Sequence, residues 1–288
     1  MQKNQKQTQQ NKKESVFQDI LKRAIFGALF LVITLAAISY SVYTWAILAM
    51  IYSLGCLYEF TKLDPIAKNG KTLIRIAGFL IWSSVFVFLF TEELLYLISW
   101  ILILPLIFLT TLNANDNRPF TQASAFLISI FYTVLPFVSL VMMGIGLEDG
   151  EYHFELIILL FMLIWANDSF AYLFGRMLGK NKMAPNISPG KSWEGFAGGA
   201  IMTLVISLII AHYFIDIELI HIAMMVIIVV PMGVLGDLVE SKWKRSLEIK
   251  DSGKFLPGHG GFLDRFDSIL ISAPIIFCYF YTVKTILF

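Results

Sequence analysis

Long apolar runs alternate with short clusters of charge along the whole of this chain. The runs are about 18 to 25 residues long, which is what a helix needs to cross a bilayer, where backbone polar groups must be satisfied internally. Residues 24–58 carry no charge, and 35 residues are too many for one span, so the pattern predicts two helices joined by a tight turn near residues 39–43. Further spans are predicted at 76–90, 94–112, 122–146, 154–177, 195–215, 219–236 and 268–285. The expected fold class is therefore all-α, a polytopic integral membrane protein with about nine transmembrane helices. Residues 1–23, rich in Gln and Lys, are expected to form a polar cytoplasmic tail, disordered or lying on the membrane surface, rather than a cleaved signal. Residues 24–288 are expected to form one membrane domain, with no internal repeat and no inserted soluble domain.

Composition agrees with a membrane setting, since 57% of residues are apolar and only 15% charged. Cys56 and Cys278 fall inside apolar runs and are expected to be small buried hydrophobes rather than a disulfide or metal pair. The net charge of +1 points to no partner, and no nucleic acid is expected. The placement of charge says more. With the N-terminus inside, 21 of the 22 Lys and Arg fall in cytoplasmic segments and only Lys284 does not. The outer connections hold Glu92, Glu93, Glu148, Asp149, Glu151, Asp216 and Glu218. Such one-sidedness is the positive-inside pattern. It places the polar stretches 176–194 and 237–267 on the cytoplasmic face, in a plasma membrane of the bacterial inner-membrane kind.

Candidate chemistry is concentrated in these two stretches. Asp237 and Glu240 are spaced i, i+3, as are Asp264 and Asp267, so each pair can share one helical face at the end of a span. Hard cations such as Mg²⁺ take one or two carboxylates and leave places for water and substrate phosphate. The plainer alternative is interfacial ion pairing with Lys244, Arg245 or Arg265. Asp168 lies inside an apolar helix, where an ionisable residue points to function, although Asp168, Tyr172 and Arg176 recur every four residues and could satisfy one another.

Gly190-Lys191-Ser192 invites a Walker A reading, but position 185 is Pro where that motif requires Gly, and no strand is expected before it. What remains is a loop ahead of a helix N-terminus, with Ser188, Lys191 and Ser192 as phosphate donors and Trp193 as an apolar or stacking surface. An ordinary interfacial loop anchored by Lys and Trp is the alternative. Pro257-Gly258-His259-Gly260-Gly261 is the least helix-like segment; its backbone can wrap phosphate, and His259 is a candidate for binding or proton handling. His153, His212 and His221 have no such companions in sequence.

Taken together, Ser241-x-x-Lys244-Arg245-x4-Lys250-Asp251-x-Gly253-x2-Leu256-Pro257-x-His259-Gly260-Gly261-x-x-Asp264-Arg265-x-Asp267 resembles the signature of the phosphatidate cytidylyltransferases, also called CDP-diacylglycerol synthases. The loop 188–195 and the pair Asp168-Ser169 resemble further motifs of that family. Trp243 stands where an aliphatic residue or Phe is usual, and Ser192 where Thr is common, departures that bear on packing. The resemblance implies a reaction of CTP with phosphatidate in the lipid bilayer, giving CDP-diacylglycerol and pyrophosphate with Mg²⁺. On that reading Asp237 and Asp264 bind Mg²⁺, and Asp267 helps or holds a second cation, either divalent or monovalent such as K⁺. Lys244, Arg245, Lys250 and Arg265 would contact the phosphates together with Lys191 and Ser188. Ser241, Asp251, Gly260, Gly261, Asp168, Ser192 and Trp193 would complete the substrate site, with His259 beside it. A polyprenol kinase and a membrane transporter are the rival readings, and a homodimer is left open as the assembly.

Overall fold

A helix can hydrogen-bond its own backbone in lipid, and almost all of this chain takes that solution. The computed structural model describes residues 24–287 apart from 94, 99, 101–102, 113–118, 146–150, 215–217 and 256–259. Helix α1 (Ala24–Tyr40) is followed by α2 (Val42–Leu63), α3 (Ala67–Thr91), α4 (Leu95–Ile98), α5 (Ile103–Leu112), α6 (Pro119–Thr133) and α7 (Leu135–Met143). Then come α8 (Phe154–Leu178), strands β1 (Lys182–Ala184) and β2 (Ser188–Ser192), α9 (Trp193–Phe214), α10 (Leu219–Ser246) and α11 (Leu263–Leu287).

The predicted turn near residues 39–43 is a single extended residue. Ser41 has φ −167° and ψ 162° and makes a capping box with Thr44, its Oγ accepting from the Thr44 N–H while its own N–H donates to Thr44 Oγ1. The motif satisfies free donors at the start of α2.

Among the described residues, seven helices are long and apolar enough to span a membrane, α6 and α7 together supplying one of them; the all-α, polytopic expectation holds, and these residues do not confirm the count of about nine. Four other expectations are corrected. The predicted span 94–112 is divided between α4 and α5, and Pro105 lies in the first turn of α5, where its missing N–H costs no helical bond. Helices α3, α10 and α11 run well beyond the predicted edges, because backbone hydrogen bonding continues through polar turns at which an apolar pattern stops. At the start of α3, for example, Asp64 Oδ1 accepts from the N–H groups of Ile66 (3.0 Å) and Ala67 (2.8 Å).

The third correction is a two-stranded antiparallel hairpin in an otherwise helical chain. Its turn places Pro185 second in Ala184-Pro185-Asn186-Ile187, with the Ile187 N–H bonded to Ala184 O at 3.1 Å, and the fixed φ of Pro favours that position. The fourth is Cys278, which lies on an exposed face of α11, whereas Cys56 is buried as expected. An apolar pattern does not separate a core face from a lipid face, since both exclude charge.

Packing brings particular helix ends together. An added Cβ at Gly195 would meet the Ala171 carbonyl and the Gly175 backbone, and one at Gly199 would meet Asn167 and Ala171. Small residues at i, i+4 thus let α8 and α9 approach closely, the usual device where lipid supplies no hydrophobic drive. Gly236 on α10 lies against the Asp267 carbonyl of α11 in the same way. The rings of Phe30, Tyr52, Phe137, Phe262 and Phe266, with centroids 4.8 to 6.5 Å apart, join α1, α2 and α7 to the start of α11.

Candidate functional site

The hairpin is stapled at its base. Glu194, in the first turn of α9, accepts from the N–H groups of Lys180 (3.1 Å) and Asn181 (3.1 Å) and from Asn181 Nδ2 (2.7 Å), and the Trp193 N–H donates to Asn181 O at 3.0 Å. Ser192 Oγ accepts from the Gly195 N–H at 3.2 Å, and the residue is only 3% exposed. The hydroxyl expected to donate to phosphate therefore also caps α9. Trp193 points elsewhere, being 56% exposed with its ring edge-on to Phe196.

Between the hairpin and the helices lies a cavity of about 590 Å³. Asp168, Tyr172 and Arg176 line it from α8, Lys182, Ser188 and Lys191 from the hairpin, and Asp237 from α10. The three-residue stripe on α8 therefore faces a cavity, and within it Arg176 Nη1 donates to the Tyr172 hydroxyl at 3.4 Å. Lys191 Nζ and Asp237 Oδ2 form an ion pair of 2.7 Å, with the two side chains 23% and 31% exposed. Ser241 Oγ donates to Asp237 Oδ1 at 3.0 Å.

Asp168 is exposed where it lines the cavity, and Lys191, Asp237 and Arg265 are the charges around it. Asp267 faces the charges of Asp237, Asp168 and Lys191, and its Oδ1 accepts from the Ser268 N–H at 2.7 Å. One region thus gathers carboxylates from α8, α10 and α11 with cations from the hairpin, α8 and α11. Such a mixed set can hold phosphate oxygens and a cation side by side.

The other predicted residues form a second network. Lys244 Nζ lies 3.1 Å from Glu240 Oε1 and 2.6 Å from Asp264 Oδ1. Asp264 Oδ2 accepts from the N–H of Ser252 (2.8 Å), its Oγ (3.0 Å) and the N–H of Gly261 (2.7 Å). Gly260, at φ +86°, lies so close that a Cβ there would run into the Asp264 carboxylate. Arg245 is exposed and donates to the Ile249 carbonyl at 3.2 Å. Lys250 and Asp251 are also exposed. His259 lies outside the described residues.

The two i, i+3 pairs therefore separate. Asp237 lines the cavity while Glu240 turns inward to Lys244, and Asp267 lies near the charges of Asp237, Asp168 and Glu240 while Asp264 bonds Ser252 and Gly261. Carboxylates meet across helices instead of along them. Three residues were not among the sequence candidates. Arg176 had been placed only in a self-satisfied stripe, and Lys182 carried no signal beyond its charge. Glu59 on α2, only 7% exposed, accepts from Ser252 Oγ (2.9 Å) and the Leu263 N–H (3.1 Å). Its one sequence signal is a carboxylate directly after an uncharged run of 35 residues.

A hard divalent cation fits the donor chemistry at Asp237 and Asp267, two carboxylates on neighbouring helices that Gly236 allows to approach. Among the described residues no three His, Cys, Asp or Glu side chains are gathered to hold a metal, so phosphate oxygens and water would complete the shell, as is common for Mg²⁺. Asp264 fits less well, because its two oxygens are held by four protein donors, against two at Asp237.

The model of the cytidylyltransferase family matches residues 21–283, and the chain belongs to that family. It is similar to a phosphatidate cytidylyltransferase of Haemophilus influenzae, 43% identical over 164 residues, which cover 54% of this chain and 56% of that protein. It is likewise similar to a phosphatidate cytidylyltransferase of Staphylococcus saprophyticus, 39% identical over 168 residues, 58% of this chain and 62% of that protein. The matched stretch spans a little more than half the length of these curated relatives. With its apolar helices, the chain is a multi-pass membrane protein.

Proposed function

We propose that this protein transfers CMP from CTP to phosphatidate, giving CDP-diacylglycerol and pyrophosphate at the cytoplasmic face of a bacterial plasma membrane. The observation that carries this reading is the Lys191–Asp237 ion pair inside a cavity also lined by Arg176, Lys182 and Asp168. A cation-bearing triphosphate offers each member of that pair a second counter-ion, phosphate for Lys191 and the cation for Asp237.

In the proposed reaction an oxygen of the lipid phosphate attacks the α-phosphorus of CTP. A new P–O bond forms, the bond to the bridging oxygen breaks, and pyrophosphate leaves with the electron pair. The nucleophile is already an anion, so the task of the protein is to position the reactants and balance their charge. Lys191, Lys182 and Arg176 would hold the triphosphate, Arg in a bidentate grip and Lys as a point charge. Arg265, exposed and near Asp168, would meet the lipid phosphate. Asp237 and Asp267 would hold Mg²⁺, which when bound supplies charge neutralisation to phosphate oxygens. Asp264 and Lys244 would keep the 252–261 segment in register behind them.

The charged cavity is built from the hairpin together with residues of α8 and α10, which supports an enzyme site over the mid-membrane site expected of a transporter. The test uses the full chain in detergent with labelled CTP and phosphatidate. Pyrophosphate release that requires the lipid supports the proposal, and release that ignores the lipid, or transfer of the terminal phosphate to an alcohol, overturns it.

A further inference from the structure

The cytoplasmic signature is anchored from a helix far away in sequence. Glu59 projects from the last turns of α2 into protein interior, and its Oε2 accepts from both Ser252 Oγ (2.9 Å) and the Leu263 N–H (3.1 Å). Ser252 Oγ in turn lies 3.0 Å from Asp264 Oδ2, and Asp264 Oδ1 holds Lys244. A continuous polar chain therefore runs Glu59–Ser252–Asp264–Lys244–Glu240, from α2 through the loop and the start of α11 to α10. Gly253 and Gly261 leave the space that the Glu59 carboxylate fills, since a Cβ on either would collide with it.

Apolar contacts from the same helix act in the same direction. Phe262 packs on Gly55, one turn before Glu59, and its ring stacks on Phe255 at 3.6 Å. Phe60 stacks on Trp243 of α10 at 5.0 Å. A buried carboxylate is costly unless its partners are fixed, and here Asp264 holds Ser252 from the other side, so that the loop is gripped by two carboxylates.

We propose that Glu59 is a positioning residue for the reaction. It fixes Ser252 and the first turn of α11, and so sets where Asp264, Arg265 and Asp267 stand. This rests on the function proposed above. The cavity wall formed by α8 and the hairpin does not touch Glu59, so the effect falls on turnover and not on CTP binding.

The experiment uses the full chain in detergent. Because both donors reach the same oxygen, the amide oxygen of Glu59→Gln can accept from both, and this variant is expected to keep turnover within about threefold of wild type. Glu59→Ala is expected to lower kcat per folded molecule by about tenfold or more, with KM for CTP changed by less than about threefold. Ser252→Ala, a smaller change that breaks the bridge, serves if Glu59→Ala does not fold, and is expected to show the same split at about three- to fivefold.

Hydrogen exchange supplies a readout that needs no activity, with amides in 249–255 and 260–263 losing protection in both variants. Equal kcat per folded molecule in wild type and Glu59→Ala, or unchanged exchange in that segment, overturns the proposal. A merely structural role would lower the melting temperature and the folded fraction and leave kcat per folded molecule intact. A wild type that turns over no CTP sinks the proposed function, and the exchange data alone then decide whether Glu59 orders the loop.

Discussion

Lys191 of the hairpin and Asp237 of α10 form a 2.7 Å ion pair on the wall of the charged cavity. Both side chains keep about a quarter to a third of their surface exposed, so the pair adds at most about 1 kcal/mol to stability. Its consequence is functional. Lys191→Ala is expected to raise KM for CTP and lower kcat/KM by about tenfold to a hundredfold with little change in melting temperature, a combination that steady-state kinetics and thermal unfolding read together.

Carboxylates that face the cavity and those that face the loop should respond differently to Mg²⁺. Chelation of the metal is expected to abolish turnover. Asp237→Asn and Asp267→Asn should raise the Mg²⁺ concentration for half-maximal rate by at least about tenfold. Asp264→Asn should instead destabilise the fold by about 2 kcal/mol, because Lys244 and three loop donors lose their ionised acceptor. An Asp264→Asn enzyme with normal melting and a raised Mg²⁺ requirement would place Asp264 among the metal ligands.

The two serines of the hairpin can be separated in the same assay. Ser192 also borders the cavity, but it is buried and its Oγ caps α9, so Ser192→Ala is expected to cost about 1 kcal/mol in unfolding and to leave KM for CTP within about twofold. Ser188 lines the cavity, so Ser188→Ala is expected to raise that KM by about three- to fivefold without the loss of stability.

Close approach of α8 and α9 predicts a packing phenotype. Gly195→Val would drive side-chain atoms into the Ala171 carbonyl and the Gly175 backbone. A loss of about 1–3 kcal/mol in stability is expected, together with a displaced hairpin. Thermal unfolding in detergent and protease sensitivity at 180–192 would report both, and a variant that melts with the wild type would contradict the packing described.

Glu194 should behave as a loop staple and not as a core residue. Glu194→Ala removes the acceptor of the Lys180 and Asn181 N–H groups, so faster hydrogen exchange at 180–192 and a higher KM for CTP are expected, with little change in melting temperature.

The sequence by itself determined that the chain crosses a membrane several times and that its polar and charged candidates cluster mainly in two basic stretches. Apolar runs of that length admit few other structures, and Lys and Arg are expensive on the wrong side of a bilayer. It also supplied the residue types, since Asp237, Asp267, Lys191 and Asp168 all come to one region. What it did not contain was their pairing. Spacing along a helix suggested that Asp237 would share a face with Glu240, and Asp264 with Asp267. Yet each pair is divided, because neighbouring helices offer the two members different partners.

The hairpin was hidden because strands of three and five residues around a Pro turn are too short for a period to show. Trp243 was read as a packing departure, and its stacking on Phe60 bears that out. Glu59 could be placed only by the fold. Its partners Ser252 and Leu263 lie some two hundred residues away, and such contacts arise from helix packing, which no local pattern encodes.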